Sequence, residues 1–309
     1  MLVMGELSKV GVLVNTCDRF EDCWELYFHQ WKKYSNGLDW PLYLNTEWKD
    51  YQFPEGIKGY ALAVCKARPD YAGWSKEGIP TWSWCVEHAL NLMPEDFVLY
   101  MQDDYFLTRE LDTKVLNEVV SIMEKESDID CVYLNKNANG IHKEAVYSNW
   151  KRVSRKDSYF VSCQAAIWRK SALLQLLRTH ESAWQFERWG TRRARALRYH
   201  LYMAAEANYS PVEYFCTGIV QGMWLHPVED LFYEANIKMD FSRRGFWSES
   251  YRSRKAGGNL LLRAIRKVWE RRKSIVDYIF CCLFGKQRPP YPEIPGQETP
   301  IAPEQQSKE

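Results

Sequence analysis

The chain of 309 residues lacks the short motifs that mark several common enzyme classes. It has no Gly-x-Gly-x-x-Gly fingerprint, no Gly-rich loop ending in Lys and Ser or Thr, and no Gly-x-Ser-x-Gly turn. Each of these motifs supplies a backbone geometry on which its chemistry depends. Their absence counts against dinucleotide-dependent dehydrogenases, P-loop nucleotidases and α/β-hydrolases.

The chain also lacks paired cysteines and long apolar runs. None of its nine cysteines forms a Cys-x-x-Cys pair, and the N-terminus has no charged-then-apolar leader pattern. This usage predicts a reducing, cytoplasmic setting in which cysteines are small core residues. The apolar stretch over residues 275–284 is half of the roughly 20 residues that a membrane-spanning helix needs. We therefore expect no transmembrane segment.

Charge is balanced overall but unevenly distributed. Lys and Arg number 41 against 40 Asp and Glu, which argues against a dedicated nucleic-acid-binding protein. Residues 241–288, however, carry thirteen Lys and Arg against three acids, a net charge of +10. The last 21 residues carry −3, and residues 1–240 carry −6. A basic segment attached to an acidic body predicts an anionic partner for that segment.

Alternating strand and helix patterns predict an α/β fold. The apolar, β-branched run at 10–14 is followed by a helical pattern over 21–34 and by a second apolar run at 40–44. Strand–helix–strand order favours parallel pairing, because parallel strands need a crossover connection. Further predicted strands lie at 97–101, 131–134, 159–167 and 214–220, and further predicted helices at 81–92, 113–126, 171–178 and 184–207.

Two acids, Asp103 and Asp104, directly follow the apolar strand Phe97-Val-Leu-Tyr-Met101. The carboxyl ends of parallel strands are where α/β sheets bind ligands. Paired carboxylates at this edge can hold a divalent cation that clamps a diphosphate. The alternative is that the two acids only cap a turn.

Four segments together resemble bacterial glycosyltransferases of the GT-A fold. They are Val12-Leu-Val-Asn-Thr-Cys-Asp-Arg19, Gln102-Asp-Asp104, Ser162-Cys-Gln-Ala-Ala-Ile-Trp-Arg169 and Ala183-Trp-Gln-Phe-Glu-Arg-Trp-Gly190. The likeness covers roughly residues 8–230. It implies a mixed, mainly parallel sheet flanked by helices, with Asp103 and Asp104 as ligands of Mn²⁺ or Mg²⁺. Gln102 stands where the family's metal motif has its first acid.

The resemblance also implies roles for the first turn. Thr16, Asp18 and Arg19 are expected to hold a nucleotide-sugar, with a UDP-linked donor as the expectation. An Asp can accept from a pyrimidine N–H group, and an Arg can reach a phosphate. A polar strand-to-helix turn without a ligand explains the same residues. Arg192, on the helix predicted after residue 184, is a further candidate for the donor diphosphate, with a solvated charged face as the alternative.

Glu187 is the candidate catalytic base. It lies among the aromatic residues of the fourth segment, where partial burial raises the pKa of a carboxyl group toward the range of a useful base. A helix N-terminal acid is the alternative. His226 is a candidate additional metal ligand, and a loop histidine packed on Trp224 is the competing interpretation.

The C-terminal third predicts a membrane-associating segment. Residues 259–284 combine apolar positions with six Arg and Lys, as in a helix that lies on an anionic membrane. A helix packed on the body or at a dimer interface is the alternative. The expected division is a catalytic domain over 1–240, a basic amphipathic segment over 241–288 and a Pro-rich, disordered tail over 289–309.

Together these features predict a cytoplasmic glycosyltransferase, peripheral to the inner face of the membrane, that is probably inverting in the sense that Glu187 suits a single displacement. It would move a sugar from a nucleotide-sugar to a glycan or lipid-linked glycan acceptor, with no nucleic-acid partner. A nucleotidyltransferase of similar fold and a non-catalytic carbohydrate or membrane adaptor are the alternatives.

Overall fold

The computed structural model describes residues 9–66, 79–135, 145–147, 149–205, 209–215, 217–248 and 272–283. In chain order, the strands are β1 Val10–Asn15, β2 Leu42–Asn45, β3 Gly59–Ala61, β4 Phe97–Gln102, β5 Phe106–Leu107, β6 Ile129–Tyr133, β7 Ala145–Tyr147, β8 Trp150–Arg152, β9 Ala166–Arg169, β10 His200–Ala204, β11 Tyr214–Phe215, β12 Ile219–Val220 and β13 Met223–Trp224. The helices are α1 Trp24–Tyr34, α2 Trp82–Leu92, α3 Thr113–Lys125, α4 Lys170–Leu176, α5 Ala183–Ala196, α6 Val228–Glu234 and α7 over residues 272–283.

A nine-stranded mixed sheet forms the centre, in the order β3-β2-β1-β4-β9-β6-β10-β8-β7. Strands β3, β2, β1 and β4 are parallel neighbours, whereas β9 and β8 run against the strands on both sides of them. The predicted mixed, mainly parallel sheet flanked by helices is confirmed. In register, Asn15 at the end of β1 stands beside Gln102 at the end of β4.

The alternation of side chains along the strands divides the core into two layers. Val12 and Val14 contribute to the layer that contains α1 and α3, whereas Leu13 between them contributes to the layer of α2, α4 and α5. This is the period-2 geometry of a strand, and both faces of β1 are buried. Such a strand is apolar throughout, as strands covered by helices on both faces usually are.

Side-chain caps fix where the site-bearing helices begin. Ser182 accepts a hydrogen bond from the backbone of Gln185, whose side chain bonds back to Ser182, so α5 starts with a capping box. Thr81 and Asp112 cap α2 and α3 in the simpler one-sided way. These caps are local and agree with the predicted helix starts.

The predicted helix over 184–207 is wrong in its second half. Helix α5 ends at Ala196, Arg198 adopts a left-handed backbone with φ of 59°, and residues 200–204 form strand β10. Tertiary pairing decides this, because β10 adds in parallel to β6 and antiparallel to β8. The predicted strand at 214–220 is likewise divided into β11 and β12.

The body continues past the predicted boundary at residue 240. The backbone of Trp224 accepts from Trp247 at 2.8 Å and donates to Gly245 at 3.0 Å, and Phe241 and Phe246 pack against the core. Most of the predicted basic segment, residues 249–271, and the tail from residue 284 lie outside the described residues. Within the part of the chain that the structure describes, no helix has the length and apolarity needed to cross a membrane.

Candidate functional site

A cleft of about 830 Å³ opens at the carboxyl ends of β1 and β4. Its walls also include the start of α5 and the segment 217–222, which carries β12. The cleft brings together five of the residues singled out from the sequence. These are Thr16, Arg19, Asp103, Asp104 and Glu187. They come from the sheet edge and from a helix about 85 residues later, so the fold makes this site from distant segments.

The two acids after β4 are buried, contrary to the expectation that neither belongs to the interior. The Thr16 hydroxyl donates to Asp103, and the indole N–H of Trp24 donates to the same hydroxyl oxygen at 2.8 Å. Burial, and then the charge of Asp104, raises the pKa of Asp103 well above its ordinary value. The turn-cap alternative does not account for a carboxylate held by a side chain from another strand.

Asp104 holds the segment that closes one side of the cleft. Its carboxylate accepts from the Thr217 hydroxyl and, at 3.3 Å, from the N–H of Ile219. Its backbone carbonyl accepts from the N–H of Gly218 at 3.0 Å. A Cβ at Gly218 would lie 2.5 Å from a ring carbon of Phe106, so only glycine permits this approach. Asp104 therefore links the sheet edge to the 217–222 segment.

Glu187 projects from the second turn of α5 into the cleft. One carboxylate oxygen accepts from the N–H of Cys163 at 2.9 Å. Burial raises the pKa of Glu187, and the hydrogen bond from Cys163 offsets part of that rise. The carbonyl of Cys163 in turn accepts from Tyr105 and Gln102, at 3.1 and 3.2 Å. Residue 163 thus fixes Glu187 relative to the end of β4.

Gln102 uses its side chain for structure. Its amide nitrogen donates to the Tyr105 hydroxyl at 3.0 Å and to the carbonyl of Cys163. The thiol of Cys17, also in the cleft wall, is a poor nucleophile, because burial and the nearby Asp103 raise its pKa to about 11. The titratable groups best suited to proton transfer in this cleft are therefore carboxyl groups.

Asp18 does not line the cleft. Its carboxylate accepts backbone N–H groups from three consecutive residues, Glu47 at 2.9 Å, Trp48 at 2.9 Å and Lys49 at 3.2 Å. These bonds join the turn after β1 to the chain after β2. In the structure Asp18 positions this turn, and its expected direct contact with a nucleotide stays a prediction without a geometric basis.

Arg192 and His226 also lie outside the cleft. The guanidinium of Arg192 lies over the Trp189 ring, 4.2 Å from its centroid, on the far side of α5. His226 stacks on Phe246 with a centroid distance of 4.1 Å and contacts Glu229 at 3.2 Å. The structure brings neither residue to the acids after β4. For His226, the stacking alternative is the one seen, with Phe246 as the aromatic partner.

Arg244 is a cleft residue that the sequence did not single out. It forms a bidentate ion pair with Asp22, at 2.6 Å for both bonds, and its guanidinium stacks over Phe20 at 4.3 Å. It also donates to the carbonyl oxygens of Arg19 and Gly222. The sequence counted it only as charge in a basic segment, because its partners lie more than 200 residues earlier.

Aromatic and amide groups line the remaining wall. Trp184 lines the cleft with 78% of its surface exposed, one turn before Glu187 on α5. The Gln164 carbonyl oxygen accepts from Asn135 at 2.8 Å and from the Tyr214 hydroxyl at 2.7 Å. These bonds fix the amide so that its nitrogen is the group left to donate. An exposed indole beside oriented polar groups is a surface suited to sugar rings.

The donor set at the acids fits a divalent cation in one mode. No cluster of three or more His, Cys, Asp or Glu side chains suited to a metal occurs among the described residues. Mg²⁺, however, keeps several waters and often binds through one or two carboxylates plus substrate phosphates. Asp103 and Asp104, two buried like charges side by side, supply that number of ligands. The predicted third ligand, His226, is not near them.

Comparison with known proteins gives weak likenesses. No protein-family model matches the chain, and no curated protein is significantly similar to it in sequence. Residues 1–349 of S. aureus TarS match with a TM-score of 0.41 and 11% identity, over 77% of this chain and 68% of that chain. The same fragment in complex with UDP gives 0.37 and 12%, over 76% and 67%. CMP:2-keto-3-deoxy-manno-octonic acid synthetase complexed with CTP gives 0.34 and 12%, over 66% and 94%. TM-scores below 0.5 establish neither family nor activity.

Proposed function

We propose that the protein is a glycosyltransferase that moves a sugar from a nucleotide-sugar to a carbohydrate acceptor. The observation that carries this proposal is the meeting of Asp103, Asp104 and Glu187 in one cleft. The paired acids lie at the carboxyl edge of a largely parallel sheet, where nucleotides bind in α/β folds. The single carboxyl group lies on a different element, so the two charged functions can act on opposite sides of one reacting carbon.

The donor is assigned to the side of the cleft formed by β1 and β4. Thr16 and Arg19 line this side, and Arg19 is exposed and able to reach a phosphate. Asp103 and Asp104 would hold a divalent cation, which supplies positive charge that offsets the charge of the diphosphate leaving group. A uridine diphosphate sugar is the donor we propose, following the resemblance of the first turn.

The acceptor is assigned to the α5 side. Trp184 offers a flat apolar face for a sugar ring, and Gln164 offers an amide donor for a hydroxyl group. Glu187, one turn from Trp184, is then placed to accept the proton of the attacking hydroxyl. The acceptor oxygen forms a bond to the anomeric carbon, the bond from that carbon to the phosphate oxygen breaks, and the diphosphate leaves with both electrons. A single displacement of this kind inverts the anomeric centre.

The proposal is tested with the full-length protein and a panel of nucleotide-sugars. Release of free nucleoside diphosphate, slow with water and faster with a sugar acceptor, is the expected result. Ligands that bind the native state also raise the melting temperature, and we expect this rise to depend on Mn²⁺ or Mg²⁺. Pyrophosphate release from a nucleoside triphosphate would support nucleotidyl transfer instead. Binding of sugars without any turnover would support the adaptor alternative.

Asp103→Asn is the matched test of the donor side. The amide keeps the size of the side chain and an oxygen that accepts from Thr16, and it removes one of two adjacent buried charges. We expect turnover and the cation-dependent part of nucleotide-diphosphate binding to be lost while the melting temperature is kept. Asp230→Asn, an exposed acid on α6, is the control and should change neither. Normal turnover by Asp103→Asn would remove this residue from the mechanism.

A further inference from the structure

Helix α7 is inverted relative to an ordinary surface helix. The four residues that contact the body or are buried against it are Ser274, Asp277, Tyr278 and Cys281. Its large apolar side chains are exposed instead, with exposed fractions of 65% for Val276, 50% for Ile279, 40% for Phe280 and 70% for Leu283. We call these four residues the outer stripe. Surface helices normally turn such a stripe toward the core.

The spacing of the two sets shows that they occupy opposite sides of the helix. The outer stripe follows the i, i+3, i+4, i+7 pattern from residue 276 to residue 283. At about 100° per residue, its centre lies roughly opposite the centre of the contacting set. The body therefore cannot cover the outer stripe while the polar contacts of α7 stay in place.

Specific contacts hold α7 in this orientation. Ser274 bonds to His180 at 3.1 Å, and Asp277 lies 3.7 Å from His180 and 3.9 Å from Arg178. Tyr278 faces Trp189 of α5, with a centroid distance of 6.3 Å. These contacts involve both ends of the helix's inner side, since Cys281 is buried as well.

The surroundings of the outer stripe are basic. Arg272 and Lys273 are exposed at the start of α7, and Arg188 and Arg192 are exposed on α5 beside it. The Arg192 guanidinium lies over Trp189, the residue that faces α7. Residues 241–288 as a whole carry +10. Apolar side chains flanked by cations match the chemistry of an anionic lipid surface, where partial insertion and electrostatic attraction add.

We propose that the outer stripe and the exposed arginines of α5 form one docking surface for an anionic lipid bilayer. Helix α7 then lies in the interface with its polar side on the protein. Because α5 also carries Trp184 and Glu187 into the cleft, docking would fix the cleft relative to the membrane plane. This inference rests on exposure and charge, and it does not depend on which reaction the cleft performs.

The test is co-sedimentation of the full-length protein with phosphatidylcholine vesicles, with and without phosphatidylglycerol. We expect binding only to the anionic vesicles and weaker binding at high salt, because salt screens surface charge. Ile279→Ser with Leu283→Ser should weaken binding about tenfold or more through lost insertion. Its melting temperature should be unchanged, because both side chains are exposed. Tyr233→Ser, an exposed aromatic on α6, is the matched control and should bind normally.

Three results would overturn the proposal. Indifference of the full-length protein to anionic vesicles at low salt is the first. A lowered melting temperature of the Ile279→Ser and Leu283→Ser variant would mean that another part of this chain covers the outer stripe. A dimer that this variant dissociates, in a protein that binds no vesicles, would assign the stripe to a second copy. Arg188→Gln with Arg192→Gln should remove the preference for anionic lipid, and a retained preference would exclude α5 from the surface.

Discussion

Replacing Glu187 with glutamine should separate activity from stability. The substitution keeps the side-chain size, and the amide oxygen can still accept from the N–H of Cys163, which the carboxylate accepts at 2.9 Å. It removes the ability to take a proton. Loss of general base catalysis typically lowers turnover by about 10²–10⁴-fold. That loss corresponds to about 3–5 kcal/mol of transition-state stabilisation.

The effect on stability has the opposite sign, and its pH dependence follows from burial. Because burial raises the pKa of Glu187 in the folded state, the folded protein holds this proton more tightly than the unfolded chain does. The wild-type protein therefore loses stability as pH rises from the ordinary glutamate pKa through the raised one. Glutamine has no charge to bury. We expect Glu187→Gln to be at least as stable as wild type near neutral pH, with any advantage shrinking as pH falls toward the ordinary value of 4.5.

The assay combines initial rates of nucleoside diphosphate release with thermal melts between about pH 5 and 8. In the wild type, turnover should rise with pH through a pKa above the ordinary glutamate value, and this limb should vanish in the variant. Glu25→Gln, an exposed acid on α1, is the control and should leave the rates unchanged. A variant that turns over normally, or that loses stability together with activity at neutral pH, would refute the assignment of Glu187 as base.

Three further substitutions test other parts of the structure. Asp104→Ala should cost about 1–3 kcal/mol in urea denaturation, because it leaves the buried N–H of Ile219 without its acceptor; an unchanged midpoint would contradict this. Arg193→Met should cost about 3–5 kcal/mol, because it strands Glu181 in a fully buried ion pair, and adding Glu181→Gln should restore much of the loss. Trp184→Ala should raise the acceptor KM and leave donor binding in thermal-shift titrations unchanged, and equal effects on both substrates would place Trp184 elsewhere.

The sequence by itself determined the features that depend on local chemistry. The apolar run of β4 followed by two acids gave both the strand and its polar end, because a buried strand has no other reason to stop at Asp103 and Asp104. The helix starts at Thr81 and Ser182 followed from side chains that bond to the backbone three residues later. The mixed, mainly parallel sheet followed from the alternation of strands and helices.

Tertiary structure decided which side chains meet. Arg193 and Arg192 are neighbours in sequence, yet the rotation of α5 buries the first against Glu181 and leaves the second outside the cleft. Periodicity fixes which residues share a helix face, but the packing of the helix fixes where that face points. The pairing of Arg244 with Asp22 joins segments more than 200 residues apart, and no local pattern encodes such a contact. Residues 200–204 form a strand for the same reason, since pairing with β6 and β8 outweighs their local continuity with the helix before them.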